Sequence, residues 1–119
     1  MPIHESINYL EFPCRDLKAS KAFFEACFQW TFVDYGPDYA SFSHENIDGG
    51  FFTSDQAALT ANGSALVVLY SAALEQTLSK VEQCGGRILQ PIFEFPGGRR
   101  FHFADPSGNE FAVWSDIAK

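Results

Sequence analysis

Side chains able to do chemistry are sparse in this chain, and their densest group lies near its end: Arg99, Arg100 and His102, followed by Glu110. His102 stands between Phe101 and Phe103, so in a strand it points to the face opposite the two rings. It is either an acid-base group or a hydrogen-bonded structural histidine. Arg99 and Arg100 follow Gly97-Gly98 and carry the forked geometry that grips a carboxylate or phosphate through two parallel hydrogen bonds. Their competing partners are the chain's 15 acidic residues. Cys14, Cys27 and Cys84 lack the close pairing of a zinc ribbon or redox motif and read as reduced thiols. His4 and His44 have no recognisable spacing.

The element that positions the main group is a hairpin. Asp105-Pro106-Ser107-Gly108-Asn109 is a tight turn: proline fixes one backbone angle, glycine permits a positive one, and Asp and Asn bond their own backbone. Phe101 and Phe103 lead in and Phe111 and Val113 lead out at a period of two, which predicts two paired strands with one buried face. Upstream, residues 7–12 alternate as a strand that Pro13 is expected to end. A helix is predicted over 16–28, with Asp16 as N-cap and Leu17, Ser20, Phe23, Phe24, Cys27 and Phe28 at helical spacing. Strands are predicted over 30–34, 39–44 and 48–53, then a linker over 54–64 with no clear period. A strand over 65–70 and a helix over 72–84 follow, the helix capped by Ser71 and stopped by Gly85-Gly86. A strand over 87–90 or slightly beyond precedes the hairpin.

This order, strand, helix, three strands, occurs twice. Leu17 aligns with Leu74, Phe24 with Val81 and Cys27 with Cys84 at one constant offset of 57 residues. Residues 1–119 are read as one domain, with units over about 5–55 and 63–116 and both helices outside the sheet. Thirteen phenylalanines argue for an aromatic interior, and a net charge of −7 disfavours nucleic acid and anionic membranes. No stretch has the length of a signal peptide or membrane span, so the expected location is cytoplasmic.

Tyr9-Leu10-Glu11-Phe12-Pro13-Cys14-Arg15-Asp16-Leu17, followed by Lys21-Ala22-Phe23-Phe24 and Phe28-Gln29-Trp30, resembles the opening strand and helix of the vicinal oxygen chelate superfamily. This is the glyoxalase, bleomycin-resistance and extradiol-dioxygenase group, and Asp105-Pro106-Ser107-Gly108-Asn109 is similar to its closing turn. The resemblance implies an α+β fold of paired βαβββ modules, a curved mixed sheet around a cleft, commonly in a homodimer. It also implies a divalent metal held by His and Glu, acting as a Lewis acid on two neighbouring substrate oxygens. The implied ligand positions fall on Tyr9, Leu66, Ala112 and the strand Gly49-Gly50-Phe51-Phe52, none with a usual ligand. No metal and no cofactor are therefore expected.

Alternation outward from those positions places Tyr9, Glu11, Leu66, Val68, Tyr70, Arg100, His102, Glu110, Ala112 and Trp114 in the expected cleft. Tyr9, Tyr70 and Trp114 could stack on an aromatic or cyclic ligand, or fill the space themselves. Glu11 and Glu110 could pair across the cleft as a general base with raised pKa, or point to solvent. Three readings follow. The first is a small-molecule-binding protein of the bleomycin-resistance type. The second is a glyoxalase-like lyase or isomerase with ligands relocated to Glu11, His102 and Glu110. The third is a dimeric scaffold with a filled cleft.

Overall fold

Leu10, Phe12 and Cys14 alternate with Tyr9, Glu11 and Pro13, and that alternation decides which side of the first strand faces the core. The computed structural model describes residues 2–118. Its order is β1 (Tyr9–Cys14), α1 (Leu17–Phe28), β2 (Thr31–Asp34), β3 (Tyr39–Ser43) and β4 (Asp48–Thr53), then a 3-10 turn (Thr60–Asn62). The second unit is β5 (Val67–Tyr70), α2 (Leu74–Gln83), β6 (Arg87–Phe95), β7 (Gly98–Ala104) and β8 (Glu110–Ser115). Each βαβββ unit makes one four-stranded mixed sheet, ordered β1-β4-β3-β2 and β5-β8-β7-β6, with β1–β4 and β5–β8 parallel. The paired-module architecture is borne out.

Three local expectations are corrected. Pro13 does not end its strand: β1 runs on to Cys14, because it is an edge strand, where a missing N–H is tolerated. β6 extends to Phe95 across Pro91 for the same reason, with two register irregularities around Gln90. Ser71 is not the cap of α2, which starts at Leu74 behind Ala73. The Ser71 hydroxyl instead accepts from the Ala73 N–H at 3.0 Å and lies 2.7 Å from the Thr77 hydroxyl. Asp16 does cap α1, its carboxylate accepting from the Ala19 N–H at 3.2 Å.

The helix α1 is not outside the sheets. Phe23 and Phe24 are consecutive, about 100° apart around a helix axis, yet they are 2% and 0% exposed, so α1 must be covered from two directions. Phe24 packs on Phe51 of the first sheet and Phe111 of the second, with centroids 5.3 and 5.4 Å away, and Phe23 packs on Phe103 at 6.0 Å. The inner faces of both sheets thus share one aromatic core with α1 between them. α2 packs on β6, β7 and β8 and approaches α1 at Gly86, where a Cβ would stand 2.6 Å from Val81 and 3.0 Å from Phe23.

Polar clasping completes the joint. The Asn109 side chain, 0% exposed, donates to the Pro13 carbonyl (2.7 Å) and to Asp105 Oδ2 (3.1 Å), and accepts from the Ala58 N–H (2.8 Å). Asp105 Oδ1 accepts from the Ser107 and Asn109 N–H groups, and the Arg15 N–H donates to Ser107 Oγ at 3.0 Å.

Burial pushes the Asp105 carboxyl up from 3.8 to about 6, against hydrogen bonds from Asn109, Ser107 and Gly108 that favour its charge. A folded pKa above the unfolded one means that folding takes up a proton between those values. The contribution is fully present below 3.8 and lost as pH rises through about 6. Lowering pH from about 6 to about 4.5 is therefore expected to stabilise the wild type relative to Asp105→Asn by on the order of 2 kcal/mol. Urea melts of both proteins across that window check it; parallel curves would contradict the assignment.

Candidate functional site

Because the inner faces are committed to the core, the predicted cleft residues stand on the outer faces and fall into two groups. On the first sheet, cross-strand register sets Glu11, Gly50 and Ser41 side by side, flanked by Tyr9 and Tyr39. Tyr39 donates to Glu11 Oε2 at 3.0 Å, and the Tyr9 hydroxyl lies 2.5 Å from that of Tyr39, so the two phenols relay into the carboxylate. Part-burial, with the hydrogen bonds to Tyr9 and Glu11, raises the Tyr39 phenol above its ordinary value. Gly50 makes this possible: a Cβ there would stand 2.0 Å from the Tyr39 hydroxyl.

On the second sheet, β7 and β8 place His102 opposite Ala112 and Arg100 opposite Trp114. Glu110, two pairs along and on the same face, turns its Oε2 to His102 Nδ1 at 2.9 Å. Its Oε1 accepts from the Thr60 N–H at 2.9 Å and the Thr60 hydroxyl at 2.8 Å. Burial pushes Glu110 up, but the His102 and Thr60 hydrogen bonds outweigh it and hold the carboxyl below its ordinary value. His102 Nε2 is buried with no partner. Arg100 lies over Phe93 and Phe95, at 5.3 and 5.6 Å. Tyr70 meets Trp114 edge-on at 5.3 Å and donates to Asp116 at 2.7 Å; Val68 and Tyr70 are exposed, and Leu66 lies just before β5.

The Glu11–Glu110 pair is not formed, and Glu110 shifts opposite to the direction expected of paired carboxylates, because its oxygens belong to His102 and Thr60. The residues do not fit the metal that the resemblance implies. Leu66 and Ala112 have no donor atom, and the Tyr9 hydroxyl is engaged with Tyr39. At Gly50 there is no side chain, and Tyr39 fills the space. Among the described residues no three His, Cys, Asp or Glu side chains group as a metal site requires, so Glu11, His102 and Glu110 do not converge within the chain.

Sequence reasoning missed Tyr39, Thr60 and Phe93. Tyr39 and Phe93 needed cross-strand register, and Thr60 lies in a stretch with no periodic signal. It also missed a cavity of about 500 Å³ whose lining includes Leu10, Phe12, Trp30, Leu69 and Val113, inner-face residues assigned to the core. That volume lies in the range of small-molecule pockets.

Residues 6–113 match the model of the Glyoxalase/Bleomycin resistance protein/Dioxygenase superfamily. No curated protein matches the chain significantly. Among solved structures, a glyoxalase-related enzyme from Fulvimarina pelagi superposes with TM-score 0.78 at 18% identity, covering 93% of this chain and 88% of that one. A lactoylglutathione lyase from Agrobacterium tumefaciens gives TM-score 0.72 at 18% identity, over 93% of each chain. The E126Q mutant of the fosfomycin resistance protein FosX from Listeria monocytogenes, complexed with Mn(II) and a dihydroxypropylphosphonic acid, gives 0.78 at 14% identity, over 94% of this chain and 90% of that one. At such identities these likenesses speak to the fold alone.

Gly50→Ala is expected to swing the Tyr39 ring away from Glu11 and return its hydroxyl toward about 10, the ordinary phenol value. Tyrosinate absorbance during alkaline titration measures this, with Tyr39→Phe identifying the step. An unchanged Tyr39 step in Gly50→Ala would contradict the crowding.

Proposed function

The chain belongs to the Glyoxalase/Bleomycin resistance protein/Dioxygenase superfamily, and from that premise we propose that it binds a small organic molecule in the cytoplasm, without the divalent metal. The observation that carries the reading is His102. A structural histidine buried in a sheet face satisfies both ring nitrogens, because a buried polar atom without a partner costs about 1–3 kcal/mol. Here Glu110 and Thr60 hold the ring on one side, while Nε2 has no protein partner. A bound molecule supplies one. The donor-poor ligand positions weigh against the relocated-ligand lyase, and the unpartnered polar atoms weigh against a filled scaffold.

The test has two readouts on one preparation. Elemental analysis after growth with metal supplementation is expected to find no stoichiometric zinc, nickel, manganese or iron. A screen of small organic fragments is then expected to move the His102 imidazole and Trp114 indole signals in nitrogen-15 NMR. About one metal per chain, lost in Glu11→Ala, Glu110→Ala or His102→Ala, would install the lyase reading instead; silence across the fragments would remove the binding reading.

The working form in this proposal is a homodimer. Tyr9 and Phe52 on the first outer face, and Val68 and Tyr70 on the second, are 38–53% exposed, apolar surface that a second copy would cover. Sedimentation at micromolar concentration is expected to give twice the chain mass; a clean mass near 13.3 kDa would rule the dimer out.

A further inference from the structure

Arg99 and Arg100, equivalent by sequence, divide two roles. Arg99 grips both carboxylate oxygens of Glu75 and the Ile117 carbonyl. Arg100 has no acidic partner among the described residues; its guanidinium lies over Phe93 and Phe95, and its Nε is buried with no acceptor. Two residues along, on the same face of β7, His102 is 7% exposed and its Nε2 is likewise unpartnered. Strand rise sets the two positions about 7 Å apart.

Their chemistry is complementary rather than alike. A guanidinium only donates, so its missing partner is an oxyanion. Glu110, its carboxyl held toward the charged form, is the natural acceptor for a proton on His102 Nδ1; in that neutral tautomer the Nε2 lone pair is an acceptor whose missing partner is a donor. Phe93 lies 5.9 Å from the His102 ring and under the Arg100 guanidinium, beside a register irregularity on the edge strand β6. Trp114, opposite Arg100, offers a flat apolar wall.

Resting on the small-molecule reading above, we propose that the ligand is a small hydroxylated aromatic acid, its carboxylate on Arg100 and its hydroxyl donating to His102 Nε2. The probe is 4-hydroxybenzoate, with benzoate lacking the donor, 4-hydroxybenzyl alcohol lacking the oxyanion and benzylamine reversing the charge. Titrations followed at the His102 and Trp114 ring nitrogens are expected to show 4-hydroxybenzoate binding at millimolar concentration or below. Benzoate and the alcohol should each bind about tenfold more weakly, the worth of one buried hydrogen bond, and benzylamine weakest.

Arg100→Met, which keeps an apolar stem over the two phenylalanines, should erase the preference for acid over alcohol. His102→Phe should erase the preference for hydroxyl over none. If Arg100→Met does not fold, Arg100→Lys, which keeps the charge but loses the fork, must lose part of the acid preference. Binding of the alcohol or the amine as tight as that of the hydroxy acid, or preferences that survive these variants, would overturn the ligand class while leaving a small-molecule site. No response to these four compounds, with fragment hits elsewhere in the screen, would overturn the class alike. No response to any compound would overturn this inference and the reading beneath it together.

Discussion

The buried Asn109 side chain is the interaction on which the arrangement of the two units depends. One amide reaches the Pro13 carbonyl at the end of the first strand, the Ala58 N–H in the connecting segment and the Asp105 carboxylate in its own turn. An amide can satisfy three such partners only if all three segments arrive in one geometry. Ser107 adds the Arg15 N–H, so the closing turn of the second unit is tied to the start of the first helix. The cost of leaving any of these buried groups unpaired makes the joint specific as well as cohesive.

Around that clasp the aromatic residues do the cohesive part. Phe12, Phe24, Phe51, Phe103 and Phe111 form one contact network across both sheets, with ring separations between 5.1 and 5.4 Å along its central path. Strand alternation then leaves the opposite faces free for polar chemistry. The outer faces are not equivalent. The first carries a phenol relay ending at Glu11, and the second carries the Thr60–Glu110–His102 chain beside an arginine stacked on two rings.

The first outer face shows how the lack of a side chain at one position admits a ring from another. Here Gly50 and Tyr39 are matched: the absence of one side chain makes room for the other. Tyr39 then organises Tyr9 and Glu11, so hydrogen bonds order this face.

Element order, the helix start at Asp16, the hairpin at 105–109 and which residues of β1, β7 and β8 share a face were legible in the sequence. They depend on covalent geometry repeated over a few residues: a period of two in strands, 3.6 in helices, and turn residues with restricted angles. Even the meeting of His102 with Glu110 was within reach, since a hairpin turn sets cross-strand register. Only the tertiary structure decided that α1 lies between the sheets, that Arg99 takes Glu75 while Arg100 lies over Phe93 and Phe95, and that Tyr39 lies over Gly50. Each of those joins segments from 11 to about 90 residues apart. Which of several chemically equal partners a side chain finds at such separations is settled by register and packing among distant elements, and no local period encodes it.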